Sequence, residues 1–396
     1  MQANHPHAAY TAGTCLRSVE IFAGAAGLGI GMAKAGFNHE IVVENDSDAC
    51  ATIRLNQEAG HPIVQGWNIA EASIQDCDLS AIKGDVDLVS GGPPCQGFSI
   101  GGAHKGHQDD RNLWPWAIST VATLKPRAFV FENVPNLASS HADYLRYLEK
   151  ALALPTIASP EDWLEDAERL DRILATGQSF DPNYRVRTDI HVSSDYGTGQ
   201  KRKRLFIVGI RSDVAGEYIP PEATHSEYEL MESKWLTGEY WDRHGLARPL
   251  PDKAGQRWIS KHNHQPRDLF APQLKPWNTV RDIFTSIPEN APNSEEAPRE
   301  FRTYKGHTGS DADEPAKTHR AGDHGVSGGE MGVTSSREGG EMHRHYSVRE
   351  AAALSDFPHD YAFTGSWGDG LRQIGNAVPC RLAEAVGHSV HTALAA

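Results

Sequence analysis

The 396-residue sequence predicts an α/β fold, a mainly parallel sheet flanked by helices, with a smaller irregular domain attached. Three observations predict it. Short β-rich apolar runs alternate with helical patterns through the first half, each run ends just before polar or Pro-rich residues, and the rhythm is lost over 212–342 and regained at Tyr346. The expected domains are therefore 15–211, 212–342, and a segment 343–396 that returns to complete the first.

Val19-Glu20-Ile21-Phe22 reads as a strand running into a glycine-rich turn, and Gly31-Met32-Ala33-Lys34-Ala35-Gly36 as a helix ended by glycine. Ile41-Val42-Val43 is a second strand, followed by a helix over 48–56. Val86-Asp87-Leu88-Val89 and Ala128-Phe129-Val130-Phe131 are further strands. In 151–183, Ser159-Pro160-Glu161-Asp162 offers an N-cap, an N1 proline and acidic first-turn residues. Trp163, Leu164, Ala167, Leu170, Ile173 and Leu174 then recur at helical spacing as a core-facing stripe. Leu205-Phe206-Ile207-Val208 is another strand. Residues 305–342, rich in glycine and charge, read as loops, and helical order resumes after Pro379.

With 39% hydrophobic and 23% charged residues the composition is that of a soluble globular chain. The net charge of -14 excludes a protein that coats nucleic acid through bulk charge, but leaves room for a local basic groove. One such patch spans 185–211, where Arg185, Arg187, Lys201, Arg202, Lys203, Arg204 and Arg211 face only Asp189 and Asp195. Cys15, Cys50, Cys77, Cys95 and Cys380 contain no CxxC pair, as expected of a reduced cytoplasmic chain without a cysteine-held metal. His5, Pro6 and His7 stand where a secretory signal needs an apolar run, and no stretch of about 18 apolar residues occurs, so neither secretion nor a membrane partner is expected.

Ligand sites of open α/β sheets lie beyond the carboxyl ends of the strands. At the first such end, Phe22-Ala23-Gly24-Ala25-Ala26-Gly27-Leu28-Gly29 lets a ligand approach the backbone and a helix N-terminus. It is neither GxGxxG nor, lacking a Gly-Lys step, a phosphate loop. Glu44, after the next strand, stands where an acid accepts ribose hydroxyls; a solvated strand-end acid is the bland alternative. In Ser90-Gly91-Gly92-Pro93-Pro94-Cys95-Gln96-Gly97-Phe98-Ser99 the thiol sits on a strand-end loop stiffened by two prolines, where a thiolate can meet substrate. Glu132-Asn133-Val134 places a carboxyl group on the same rim, where apolar neighbours can keep it protonated. Arg202 and Arg204 alternate along a strand and can face one side.

In this order, together with Arg349-Glu350 and Gln373-Ile374-Gly375-Asn376-Ala377-Val378-Pro379, these motifs resemble those of the DNA cytosine-5 methyltransferases. The resemblance covers 18–150, 184–211 and 341–396, and 212–342 falls where that family keeps its target-recognition domain. It implies a Rossmann-like S-adenosylmethionine-dependent methyltransferase domain acting on double-stranded DNA as a monomer. A cytoplasmic, nucleoid-associated location and a companion restriction endonuclease belong to the same expectation. Cys95 would add to cytosine C6, Glu132 would bond or protonate N3, Arg204 would hold O2, and Arg202 would contact phosphate. The target nucleotide would be flipped out of the stack, and no metal is implied.

For S-adenosylmethionine, which leaves as S-adenosylhomocysteine, the family pattern carries to Phe22, Ala23, Gly24, Ala25, Gly27, Leu28, Glu44, Asn45, Asn68, Ile69, Pro94, Asn376 and Val378. Three departures stand out: Ala26 replaces a common glycine, Asn68 replaces an aspartate, and Arg111-Asn112-Leu113-Trp114 is one residue short. For DNA the expected contacts are Gln96, Ser99, Arg111 and Arg202, with Arg243, Arg248, Arg257, Lys261 and Arg267 from a stretch, 243–281, that holds eight basic residues against Asp252 and Asp268. The nearest rival is a tRNA cytosine-5 methyltransferase, whose recognition region carries Cys-Phe-Thr; residues 212–342 have no cysteine. A catalytically dead DNA-binding relative would have lost Cys95 or Glu132. A nicotinamide oxidoreductase would need the missing GxGxxG.

Overall fold

Seven strands form the central sheet of the computed structural model, which describes residues 16–94, 112–178, 180–262, 273–297, 301, 308–320, 331–335 and 342–396. They are β1 (Leu16–Ile21), β2 (Phe37–Glu44), β3 (Asn68–Glu71), β4 (Leu88–Gly91), β5 (Ala128–Asn133), β6 (Tyr184–Val192) and β7 (Lys203–Arg211). Their spatial order is β3-β2-β1-β4-β5-β7-β6. β1 to β5 pair in parallel, and β7 runs antiparallel to both its neighbours. Both faces are covered, so the central strands read as nearly continuous apolar runs; Ala128, Phe129, Val130 and Phe131 are all fully buried.

The strand order reverses between β1 and β4, the position where open α/β sheets leave a crevice. The glycine-rich turn after β1 and the loop that begins at Gly92 after β4 leave the sheet there side by side. The reversal of β7 brings its first residues to the edge where β5 finishes, pairing Asn133 with Leu205.

The helices are α1 (Gly27–Lys34), α2 (Ser47–Glu58), α3 (Trp114–Leu124), α4 (Asn136–Ser139), α5 (Ala142–Ala153), α6 (Trp163–Ala175), α7 (Glu227–Glu232), α8 (Glu239–Arg243), α9 (Lys253–His262), α10 (Val280–Phe284), α11 (Val348–Leu354), α12 (Trp367–Asn376) and α13 (Cys380–Ala395). α1 starts inside the glycine-rich turn, four residues earlier than the sequence suggests. Its Gly31 lets α13 approach so closely that a Cβ there would lie 2.3 Å from that of Ala383. Ser347 with Glu350 and Ser366 with Asp369 form capping boxes that start α11 and α12.

α6 corrects two expectations. Asp162, not Ser159, caps it, accepting from the Leu164 and Glu165 amides at 3.1 and 3.2 Å. Leu170 is fully buried, but Leu164 and Leu174 are 61% and 45% exposed, so the core-facing stripe is narrower than the apolar spacing implies.

Within 212–342, Leu230, Trp235, Tyr240, Trp241 and Trp277 form a small separate core. Val280, Ala312, Ala316, Met331 and Val333 instead join Ala25, Ala26, Ile30 and Ala351 in a cluster of the main domain. Packing thus divides this stretch near 278 rather than treating it as one unit. Among the described residues, no helix is long and apolar enough to cross a membrane.

Candidate active site

β5 ends in Glu132 and Asn133, which remain 8% and 2% exposed. Burial pushes the Glu132 carboxyl up to about 7, against the opposing pull of the Arg204 charge. Arg204, at the start of the neighbouring antiparallel strand, meets it with Nε 2.6 Å from Oε1. Its Nη1 donates to the Lys203 carbonyl at 2.7 Å, which orients the guanidinium. A Cβ on Gly92 would lie 3.4 Å from Glu132 Oε2, so the loop after β4 passes directly over the acid. Asn133 ties that loop down: Nδ2 donates to the Pro93 carbonyl at 3.1 Å, and Oδ1 accepts from the Val134 amide at 2.9 Å. Pro94 is half-buried. Cys95, Gln96, Ser99, Arg111 and Arg267 lie outside the described residues.

Phe22, Gly24 and Ala26 have φ of 57°, 53° and 68°. Left-handed backbone costs an L-residue about 1–2 kcal/mol, so Phe22 and Ala26 are held under strain at the head of α1; this also accounts for glycine being common at Ala26. The turn opens a cradle, since a Cβ on Gly24 would meet nothing within 4 Å. Beneath it, Glu44 accepts from the Gly24 amide at 2.7 Å and from the Asn45 and Asp46 amides at 2.8 and 2.7 Å. Gly27 abuts the last motif, where an added Cβ would stand 2.4 Å from the Val378 carbonyl oxygen. Ala23, Ala25 and Leu28 are buried around the turn, while Asn45 and Asn376 are exposed at its rim.

Four supports of this turn went unassigned in the sequence. Tyr361 Oη donates to the Ala25 carbonyl at 3.2 Å. Arg372 on α12 joins Asp46 and Asp48 at 2.5 and 2.9 Å, tethering the last motif to the segment after Glu44. Under α1, Glu20 accepts from Ser90 Oγ at 3.3 Å and lies 3.3 Å from His39 Nε2, which faces the Gly29 carbonyl at 3.1 Å. Burial pushes the Glu20 carboxyl up to about 8 and holds His39 down to about 4, so both are largely neutral at pH 7. An acid inside an apolar strand was the available signal.

Asn68 and Ile69 open β3, with Asn68 exposed and Ile69 half-buried. They pair with Ile41 and Val42, and Glu71 is the residue level with Glu44. Glu71 is partly exposed and paired with Arg54.

The expected DNA contacts separate into different environments. Arg257 and Lys261 are exposed on α9 and share one helical face with Lys253, Gln256 and Ser260. Arg243 is paired with Asp282 at 2.8 Å and lies over the Tyr240 ring, and Arg248 donates to the Trp235 and Leu236 carbonyls. Arg202 is only 2% exposed. It donates through Nη1 to the His319 carbonyl and through Nη2 to that of Gly375, the latter at 2.7 Å. A phosphate has no access to a guanidinium so enclosed, which overturns the phosphate contact expected there.

A crevice at the switch point of an open parallel sheet, with a buried acid–arginine pair at its rim, is the architecture of a Rossmann-like ligand-binding domain. The profile of the C-5 cytosine-specific DNA methylases matches residues 16–392, and the chain belongs to that family. It is 30% identical over 384 residues to the Type II methyltransferase M.PspPI of Psychrobacter sp., covering 94% of this chain and 78% of that protein. It is 28% identical over 379 residues to the Type II methyltransferase M.Eco47II of Escherichia coli, again covering 94% and 78%. Among solved structures, a DNA modification methyltransferase encoded in an E. coli prophage superposes with a TM-score of 0.54 at 20% identity, covering 96% of this chain and all of that one. DNMT2 of Spodoptera frugiperda gives 0.56 at 14%, covering 95% and 99%. At these identities the superpositions show the shared fold.

Proposed function

We propose that the protein methylates C5 of cytosine in a specific double-stranded DNA sequence, using S-adenosylmethionine, as the modification partner of a restriction system. The observation that carries this reading is the Glu132–Arg204 pair under the loop that leads to Cys95, an acid and a cation arranged for one polar base edge.

The cofactor fits the cradle: the open space at Gly24 leaves room for it, with the Glu44 carboxylate beneath and the exposed Asn376 beside Val378 as polar groups at its border. When bound there, S-adenosylmethionine supplies an electrophilic methyl group. Cytosine C5 is too weak a nucleophile to take it unaided. The Cys95 thiolate therefore adds to C6, and Glu132, held near pH 7 by burial, gives its proton to N3 as charge develops there. Arg204 holds O2 while keeping Glu132 in place. Once C5 is methylated, its proton passes to solvent, the thiolate leaves C6, and the N3 proton returns to the Glu132 carboxylate, which restores the aromatic ring and the starting acid. The reacting base must leave the stack to reach this rim, and the basic face of α9 is suited to hold the flanking phosphates.

Bisulfite sequencing of DNA and tRNA from a host expressing the chain tests the substrate. Methylated positions sharing one DNA word are expected, and methylation confined to tRNA would replace DNA with RNA as the substrate. Cys95→Ala should abolish transfer, and the unaltered enzyme should become covalently trapped on DNA containing 5-fluorocytosine. Active enzyme that forms no adduct would refute the covalent route.

A further inference from the structure

Arg202 lies two residues before Arg204, and its surroundings belong to three parts of the chain. Its own backbone is locked in both directions by Ser193, whose Oγ accepts from the Arg202 amide at 3.1 Å while the Ser193 amide donates to the Arg202 carbonyl at 2.9 Å. The guanidinium spans two carbonyls distant in sequence, His319 and Gly375. Gly375 is in the last turn of α12, whose final carbonyls lack helical partners, and a cation there also suits the helix dipole. The residues that follow, Asn376 and Val378, border the proposed cofactor cradle, and the Val378 carbonyl abuts Gly27. The His319 side is braced separately: Gln200 Oε1 accepts from the His319 amide at 3.3 Å and Gln200 Nε2 donates to Ser355 Oγ at 3.1 Å. The Lys201 amide donates to the Ala316 carbonyl at 2.8 Å.

We infer that Arg202 is a positioning residue that joins the cofactor cradle to the base-holding Arg204, by clamping the end of α12 to the start of β7. Seating the cofactor against Asn376 and Val378 fixes the Gly375 carbonyl. Through Arg202 this fixes the backbone that carries Arg204 to Glu132. Arginine is required because one planar fork reaches both carbonyls at once, whereas a lysine ammonium presents a single point charge. The inference rests on the function proposed above, since it takes the cradle to be the cofactor site.

The test uses the full chain, with Arg202→Lys and Arg202→Met beside the unaltered protein. S-adenosylhomocysteine binding without DNA is measured by calorimetry, and DNA binding is measured across a salt series. The expected result is a cofactor dissociation constant raised about tenfold or more, a cofactor KM raised by a larger factor than kcat falls, and an unchanged salt slope. A phosphate contact would instead leave cofactor binding intact and flatten the slope by roughly 0.9. That result would overturn the inference, as would unchanged cofactor affinity in a folded variant. A measurement on the unaltered protein does not depend on how the variants fold: S-adenosylhomocysteine should slow amide exchange in 199–206 as well as in 374–378. Protection confined to the cradle segments would refute the coupling. Failure of the unaltered protein to bind S-adenosylhomocysteine at all would instead refute the cofactor assignment itself.

Discussion

Glu132→Gln replaces the acid by a group of the same shape that never titrates, and its pH profile separates an acid role from mere hydrogen bonding. Burial raises the Glu132 carboxyl from an ordinary 4.5 to about 7, so in the free enzyme it is about half protonated at pH 7 and roughly one-tenth protonated at pH 8. The reaction needs this proton together with a Cys95 thiolate. With a thiol of ordinary acidity, near 8.5, the two requirements oppose each other. The competent fraction rises about tenfold per pH unit below 7, passes through a broad maximum of about 2% between 7 and 8.5, and then falls. The substituted amide has no proton to lose, so the variant's rate should keep rising to about pH 8.5 and then level off without a descending limb. At pH 7.5 the variant should be slower by about 10²- to 10⁴-fold, the usual contribution of a positioned acid. The assay is kcat/KM for DNA from pH 5.5 to 9.5 at saturating S-adenosylmethionine, which reports free-enzyme groups. A variant that still flattens at pH 7 would show that Glu132 does not supply the proton.

Gly27→Ala drives a Cβ to 2.4 Å from the Val378 carbonyl oxygen and 2.9 Å from the Ala377 Cβ. A loss of about 1–3 kcal/mol in urea unfolding, with weakened S-adenosylhomocysteine binding, is expected; unchanged values would show that the two segments separate freely. Glu20→Gln should matter increasingly as pH rises. The folded carboxyl sits at about 8 against an ordinary 4.5, so its proton stabilises the fold below 4.5, and that contribution is lost as pH climbs through 8. The variant should therefore gain up to about 5 kcal/mol relative to the unaltered protein between pH 4.5 and 9, and a pH-independent difference in urea midpoints would refute the burial argument. Glu71→Gln should weaken S-adenosylhomocysteine binding by about 3- to 10-fold, the worth of one hydrogen bond, whereas Asn68→Asp should not. The reverse pattern in calorimetry would assign the cofactor contact to Asn68 instead.

The sheet and the rim positions of Glu132 and Arg204 were legible because their signals are local, whereas the pairing of the two, 72 residues apart, was not. Apolar runs ending in polar residues mark strand ends, and strand ends in this fold mark the crevice. A motif fixes residue order but not register, so it does not show that β3 begins at Asn68 and that Glu71, three residues further on, is the residue level with Glu44. Arg202 was misjudged for a different reason. Alternation puts it on the same side as Arg204, but its carbonyl partners are 117 and 173 residues away, and no local pattern reports contacts of that range. The exposed Leu164 and Leu174 show the same limit, since helical spacing establishes a stripe without saying how wide a neighbour covers it.

The reversal of β7 is the topological feature on which the proposed chemistry depends. β5 delivers Glu132 at its carboxyl end, as parallel strands in this fold deliver their functional groups. A parallel neighbour would place the residues at its amino end, including Arg204, on the opposite edge of the sheet. Strands rise about 3.3 Å per residue, so across the nine residues of β7 the basic segment would stand ~25 Å from the acid. Running antiparallel, β7 sets Leu205 against Asn133 and Phe206 against Glu132, and the Arg204 guanidinium reaches the carboxylate within a single hydrogen bond. The same reversal carries Arg202 to the edge where α12 ends, so one short basic segment serves both the base-holding pair and the border of the cradle.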